Sequence, residues 1–271
     1  KDLKTGGEYM ATYSLNTPWG RGLRIAVLFV ALAAGAVGDV SADGSAESPA
    51  VDPHARNILK QMGDYLAAYK EFSFKAEVTT DEVTVGIQKI HTTDVIEAVV
   101  RRPNKLWIET RGDLFYKRFW YDGSSVALMS LVENFYATTK TQSKIDAALD
   151  DIMEKYGVTT PVVDFLFTNP YDVLIKDVKG AVYAGLHKVD GVECHHLAFT
   201  QDNLDWQIWI EDGKHMVPRK FVVTYKSEPG SPETVTIFKN WDFSTKHPDH
   251  LFDFKPPANA RKIEFLPLTQ M

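Results

Sequence analysis

The sequence predicts a mostly β fold, a single curved antiparallel sheet whose concave side is plugged by helices. Three observations predict it. Apolar residues alternate with polar ones in runs from Phe72 almost to Phe243, the period of half-buried strands. Turn dipeptides at Asp122-Gly123, Asp190-Gly191, Asp212-Gly213 and Pro229-Gly230 separate several of these runs, and Asp-Gly is a strong hairpin signal. Helical spacing occurs only ahead of the first strand and in one interruption near the middle. One helix, a run of strands, two helices and more strands fit one antiparallel sheet with its helices on one face.

The elements follow in order. Asp52-Pro53 is an N-cap with proline at the first helical position. Ile58, Leu59, Met62, Tyr65, Leu66 and Tyr69 then form a stripe at helical spacing. Strands are expected at Phe72–Thr80 and Val83–Val100, turning at Thr80-Asp-Glu82, with a bulge near Gln88-Lys89 where the apolar phase slips. Leu106–Glu109, Phe115–Tyr121, Ser125–Leu131 and Asn134–Thr139 complete a meander. Ser143 and Asp146 resemble a capping box for a helix ending at Gly157. Its apolar face is Ile145, Leu149, Ile152, Met153 and Tyr156. A second, shorter helix is expected over residues 161–167. Strands return at Ala181–Val189, Val192–Phe199, Leu204–Glu211, Pro218–Lys226 and Thr234–Phe243. The aromatic- and proline-rich end, Phe252–Phe265, should be pinned to a sheet edge or a helix.

Ahead of this domain, Arg21 and Arg24 precede an uncharged run, Ile25–Ala34, and then the small-x-small sites Ala34-Gly-Ala36 and Val40-Ser-Ala42. That is the layout of a cleaved secretory signal, and Met10 would begin a conventional n-region. A membrane span needs about 20 apolar residues, twice this run. Residues 1–42 are therefore expected to be removed, 43–51 to form a tether, and 52–271 to form one domain. Cys194 lies far from any cleavage site, so a lipid anchor on the protein itself is not expected, and the exported domain should be soluble.

Composition narrows the function. Of 271 residues, 44% are hydrophobic and 24% charged, as in a folded protein rather than a disordered one. The net charge of −6 falls to −7 once the leader is removed. That acidic balance speaks against nucleic acid, which is bound through clustered Lys and Arg. One cysteine excludes an internal disulfide and a Cys-based zinc site.

Cys194-His195-His196 is the first candidate for catalysis. Strand alternation places Cys194 and His196 on one face about 7 Å apart, too far for a thiol–imidazole hydrogen bond. A hydrolase built on Cys194 and His196 is accordingly the weakest functional alternative. His187, His195 and His196 could meet across a hairpin, and His247 and His250 form another pair. Neither has the spacing of a helical zinc site, so no catalytic residue, metal ligand or cofactor is assigned. The aromatics say more. In Leu204–Glu211, Leu204, Trp206, Ile208 and Ile210 share one face, leaving Trp209 with Asp205, Gln207 and Glu211. Such a face is either packed core or the lining of an apolar cavity. The residues expected to line such a cavity are Trp107, Phe119, Tyr121, Leu149, Ile152, Phe165, Phe167, Trp206, Ile208 and Phe221.

The segments Arg102-Pro-Asn-Lys-Leu-Trp-Ile-Glu109, Trp120-Tyr-Asp-Gly123 and Asn134-Phe-Tyr-Ala-Thr138 resemble the periplasmic LolA/LolB-like superfamily of lipoprotein carriers. More closely, five segments are similar to an uncharacterised family of predicted periplasmic proteins. They are Ile145–Leu149, Gly157–Pro161, Gly191–Phe199, Asp205–Ile210 and Pro218–Phe221, and the resemblance spans residues 52–266. It implies a half-open β-barrel closed by helices over an apolar cavity. It also implies a periplasmic, non-enzymatic carrier or sensor of a lipid or a lipoprotein acyl chain, with transient membrane contact. The alternative expectation is an envelope protein-interaction module, which exposed Trp209 and open sheet edges would serve.

Overall fold

The computed structural model describes residues 50–83 and 88–270; the expected leader, and the tether up to residue 49, lie outside them. Among the described residues, twelve strands form one sheet. The first six are β1 (Glu71–Val83), β2 (Lys89–Arg101), β3 (Lys105–Gly112), β4 (Tyr116–Tyr121), β5 (Ser125–Ser130) and β6 (Phe135–Lys140). After the helical interruption come β7 (Gly180–Val189), β8 (Val192–Thr200), β9 (Leu204–Glu211), β10 (Pro218–Tyr225), β11 (Glu233–Asp242) and the two-residue β12 (Arg261–Lys262). Their order is β12-β6-β5-β4-β3-β2-β1-β11-β10-β9-β8-β7, an open sheet that does not close into a barrel. All pairings among β1–β11 are antiparallel; β12 joins β6 in parallel.

The first hairpin corrects two expectations. Thr80, Asp81 and Glu82 do not turn but stay paired with Thr92, His91 and Ile90. The chain reverses between Val83 and Lys89, so the phase slip at Gln88-Lys89 marks a reversal and not a bulge. The structure puts bulges elsewhere, between Ser73 and Lys75 against β11 and between Tyr183 and Gly185 against β8.

Helix α1 (Pro53–Ala67) begins as expected. The Asp52 carboxylate accepts from His54 N at 2.8 Å and from Tyr183 N at 3.2 Å, capping the helix and fastening it to β7 with one side chain. These backbone donors hold the carboxyl below its usual pKa, His54 N foremost. Val51, the last residue of the expected tether, already bridges Ala181 in the sheet. Helix α2 spans Ile145–Tyr156 and ends on Gly157 at φ 66°. Its expected capping box is absent, because the N-cap is Lys144 without a side-chain bond. Asp146 instead accepts from Thr168 N and Thr168 Oγ1 at 2.8 and 2.9 Å, which ties the next segment down. That segment, expected as a helix over residues 161–167, is a single 3-10 turn, Val163–Phe165. A short helix α3 (Pro170–Leu174) follows, capped by Asn169.

The core lies between the helices and one face of the sheet. Ile58, Leu59, Met62 and Leu66 of α1 and Ile145, Leu149 and Ile152 of α2 join Phe72, Phe74, Ile96, Leu106, Tyr121, Leu197 and Phe238 in one cluster. The opposite face is partly covered by the C-terminal segment. Phe254 sits between Trp120 and Tyr136, with ring centroids 4.9 and 5.2 Å away.

Candidate functional site

Strand register decides which expected cavity residues meet. Ile108 pairs with Phe119 and Leu106 with Tyr121, so these four share the helix-covered face. Trp107 pairs with Trp120 and Val99, and it lies on the other face, outside the core cluster. The remaining nine, Phe119, Tyr121, Leu149, Ile152, Phe165, Phe167, Trp206, Ile208 and Phe221, all belong to the cluster. Most of them are packed against protein. Phe165 is fully buried edge-on between Phe221 and Phe238, with ring centroids 5.3 and 4.8 Å away. Phe199 stacks on Trp206 at 3.9 Å. The Tyr121 hydroxyl donates to Gln142 O at 2.7 Å, and burial raises its pKa to about 12.

A pocket of about 240 Å³ opens at one end of this face. Of the nine, Trp206 and Phe221 line it, joined by Leu204 and Val223 from β9 and β10 and by Val173 and Leu174 from α3. The polar lining is Asp164, Lys176, Asp177, Gln201 and Tyr225. Asp164 stands in the 3-10 turn between buried Val163 and Phe165. Its carboxyl is only partly exposed, and burial raises its pKa to about 6. Burial also raises the Tyr225 phenol, with Asp164 adding to the effect. Gln201 donates to Lys176 O at 2.8 Å and closes one side.

Arg102, in the motif that carried the family resemblance, is the clamp of the helical layer. Its Nη1 donates to Leu66 O and Tyr69 O at 3.1 and 2.9 Å, and its Nη2 to Phe167 O at 2.7 Å. One guanidinium thus satisfies carbonyls at the end of α1 and after the 3-10 turn, a fixed fork that lysine cannot copy. Burial lowers its pKa to about 10. Elsewhere on the inner face, burial pushes the Asp94 carboxyl up to about 6 and the Lys117 ammonium down.

The Cys-His-His run is split by the strand. Cys194 is fully buried, its thiol on Val192 O at 3.4 Å, and burial raises its pKa to about 11. His196 and His187 face each other with Nδ1 atoms 2.9 Å apart, while His195 bonds the Tyr183 hydroxyl at 3.1 Å. Burial, with His187 and Lys220 nearby, lowers the His196 pKa against the opposing bond to Gln207. Trp209 stacks on His196 at 3.9 Å, and Lys220 lies 4.7 Å over its ring. Among the described residues, no group of three or more His, Cys, Asp or Glu side chains is placed to hold a metal ion. Nor is any helix among them long and apolar enough to cross a membrane.

Comparison with solved structures finds similarity to the lipoprotein LppX of Mycobacterium tuberculosis. It is 14% identical with a TM-score of 0.44, covering 72% of this chain and 98% of that one. LprF from Mycobacterium bovis is 11% identical, with a TM-score of 0.43 and coverage of 73% and 98%. A LolA superfamily protein from Nitrosomonas europaea is 9% identical, with a TM-score of 0.39 and coverage of 74% and 97%. No curated protein matches the chain. The profile of one family matches residues 55–266, all but the edges of the described fold, and the chain therefore belongs to the predicted periplasmic proteins of family DUF2092.

Proposed function

We propose that the protein is a non-catalytic periplasmic carrier or sensor of a hydrophobic ligand, a lipid or a lipoprotein acyl chain, held between sheet and helices. One observation carries this reading. Part of the roof over a mostly apolar sheet face is made of segments of three and five residues, beside a pocket of about 240 Å³. Helical segments this short have little stability of their own and hold position through their tertiary contacts. Displacing them exposes Phe165, Phe167, Trp206 and Phe221, and an acyl chain can cover the same surface at about 25 cal/mol per Å². The Arg102 clamp and the Asp146–Thr168 bonds mark where such a roof stays attached.

The test is gentle purification of residues 43–271, extraction, and lipid mass spectrometry, followed by titration with a neutral environment-sensitive fluorophore. Copurified lipid or saturable, lipid-competed fluorescence is the expected result. Neither copurified lipid nor saturable fluorescence would end the proposal.

An envelope-protein partner is a second reading, favoured by the outer edge of β7. Val51 and Asp52 cover only its start, and Val182 and Leu186 are about half exposed along the strand. An edge of this kind accepts a strand from another chain. Crosslinking from position 186 in cells that traps no protein would remove it.

A further inference from the structure

The pocket beside the 3-10 turn is apolar over most of its lining, yet the half-buried Asp164 carboxyl stands in it with nothing to bind. Among the described residues, Asp164 has no hydrogen-bond or ion-pair partner, and the pocket it lines is walled mainly by Val173, Leu174, Leu204, Trp206, Phe221 and Val223. An ionised carboxylate in such a place is costly unless it is paired. The other ionisable groups of the lining are Lys176, Asp177 and Tyr225. Lys176 and Asp177 are exposed at the rim, where they offset each other in charge, and the Tyr225 phenol carries none at neutral pH. The interior charge is therefore negative and belongs to Asp164.

Volume narrows the occupant. Pockets for drug-sized ligands measure about 300–1,000 Å³, so one of about 240 Å³ admits one end of an amphiphile and not a whole lipid.

We propose that this pocket receives the amine-bearing end of an amphiphile, with the Asp164 carboxylate as counter-ion and the adjoining alkyl segment against Trp206, Phe221 and Val223. The inference rests on the hydrophobic-ligand reading above and adds a head-group selection to it. An ammonium gains a charge-assisted hydrogen bond there, a hydroxyl gains a weaker one, and a carboxylate meets a like charge.

Calorimetric titration at pH 7.5 with octylammonium, octanol and octanoate, which share a chain and differ in head group, tests it. Octylammonium is expected to bind about tenfold or more tighter than octanol, and octanoate more weakly than either. Asp164→Asn should erase the ammonium preference while octanol binding persists. Equal binding of the three probes, or a preference that survives in Asp164→Asn, overturns the amine subsite alone. Failure of all three to bind overturns the subsite and the apolar pocket together. Displacement of bound octylammonium by short-chain phosphatidylethanolamine supports a phospholipid head group as the amine source. Bound octylammonium that resists displacement supports a free amine, and both results uphold the subsite.

Discussion

Asp164→Asn also makes a stability prediction that needs no ligand. The substitution keeps the size of the side chain and removes its charge. Burial raises the carboxyl from 3.8 to about 6, roughly two pH units, and each unit is worth about 1.4 kcal/mol. The folded state holds the proton more tightly than the unfolded chain. The Asp164 contribution to wild-type stability therefore falls as pH rises from about 4 to about 6 and stays reduced above that. Below about pH 4 both states are protonated and the cost vanishes. Full transfer of those two units would give about 3 kcal/mol, and solvent reaching the carboxyl through the pocket reduces this to about 2. The variant should match wild type at about pH 3 and exceed it by about 2 kcal/mol at pH 7. Urea unfolding followed by tryptophan fluorescence, with both proteins run across that range, measures the difference. Asp94, also raised by burial, titrates in both proteins and cancels. An Asn variant that is less stable at pH 7, or a difference independent of pH, refutes the placement of a bare carboxyl in an apolar pocket.

Three further outcomes are expected. Arg102→Met leaves the carbonyls of Leu66, Tyr69 and Phe167 without their donor and should cost about 3 kcal/mol or more in urea unfolding, with Arg102→Lys recovering only part. Phe165→Ala empties a fully buried site between two rings and should cost about 3–5 kcal/mol by the same assay. The Cys194 thiol, held near pKa 11 by burial, should resist Ellman's reagent at pH 8 in the folded protein and react fully in urea; rapid labelling of the native state would reopen a reactive-cysteine role.

Much of the fold was legible because local signals and tertiary demands agree. Asp52-Pro53 caps α1, and the alternation in Leu204–Glu211 puts Trp206, Ile208 and Ile210 inside and Trp209 outside, as the structure does. Trp107 could have been read the same way. It is flanked by Lys105 and Glu109 in phase, while Leu106 and Ile108 alternate with it, so parity puts it on the outer face. Helix α3 carried Asn169-Pro170, the same cap-and-proline signature as α1, in a stretch too short for an apolar stripe. Residues 162–167 are apolar enough for a buried helix, yet tight packing against β10 and β11 leaves them one 3-10 turn. The pocket itself was not legible. Its lining comes from the 3-10 turn, α3 and the strands β9 and β10, and no window of sequence holds such a neighbourhood.

The sheet order has a consequence for how the two halves of the protein are joined. β1–β6 and β7–β11 are two meanders of sequential strands, stitched side by side along β1 and β11, where Thr80 and Thr234 meet across 154 residues. The only covalent bridge from one meander to the other is the segment with α2, the 3-10 turn and α3. It is anchored to the first meander through Ile145 N on Pro103 O and Arg102 on Phe167 O, and to the second through Phe165. Closing so long a loop makes the seam the entropically expensive step of assembly. Once it forms, the paired strands of the seam hold the two halves side by side, and the strap adds a covalent link between them. On the carrier reading proposed above, a guest would enter by local displacement of the short segments on either side of the Phe167 and Thr168 anchors, over an unbroken sheet with the β1–β11 seam left shut.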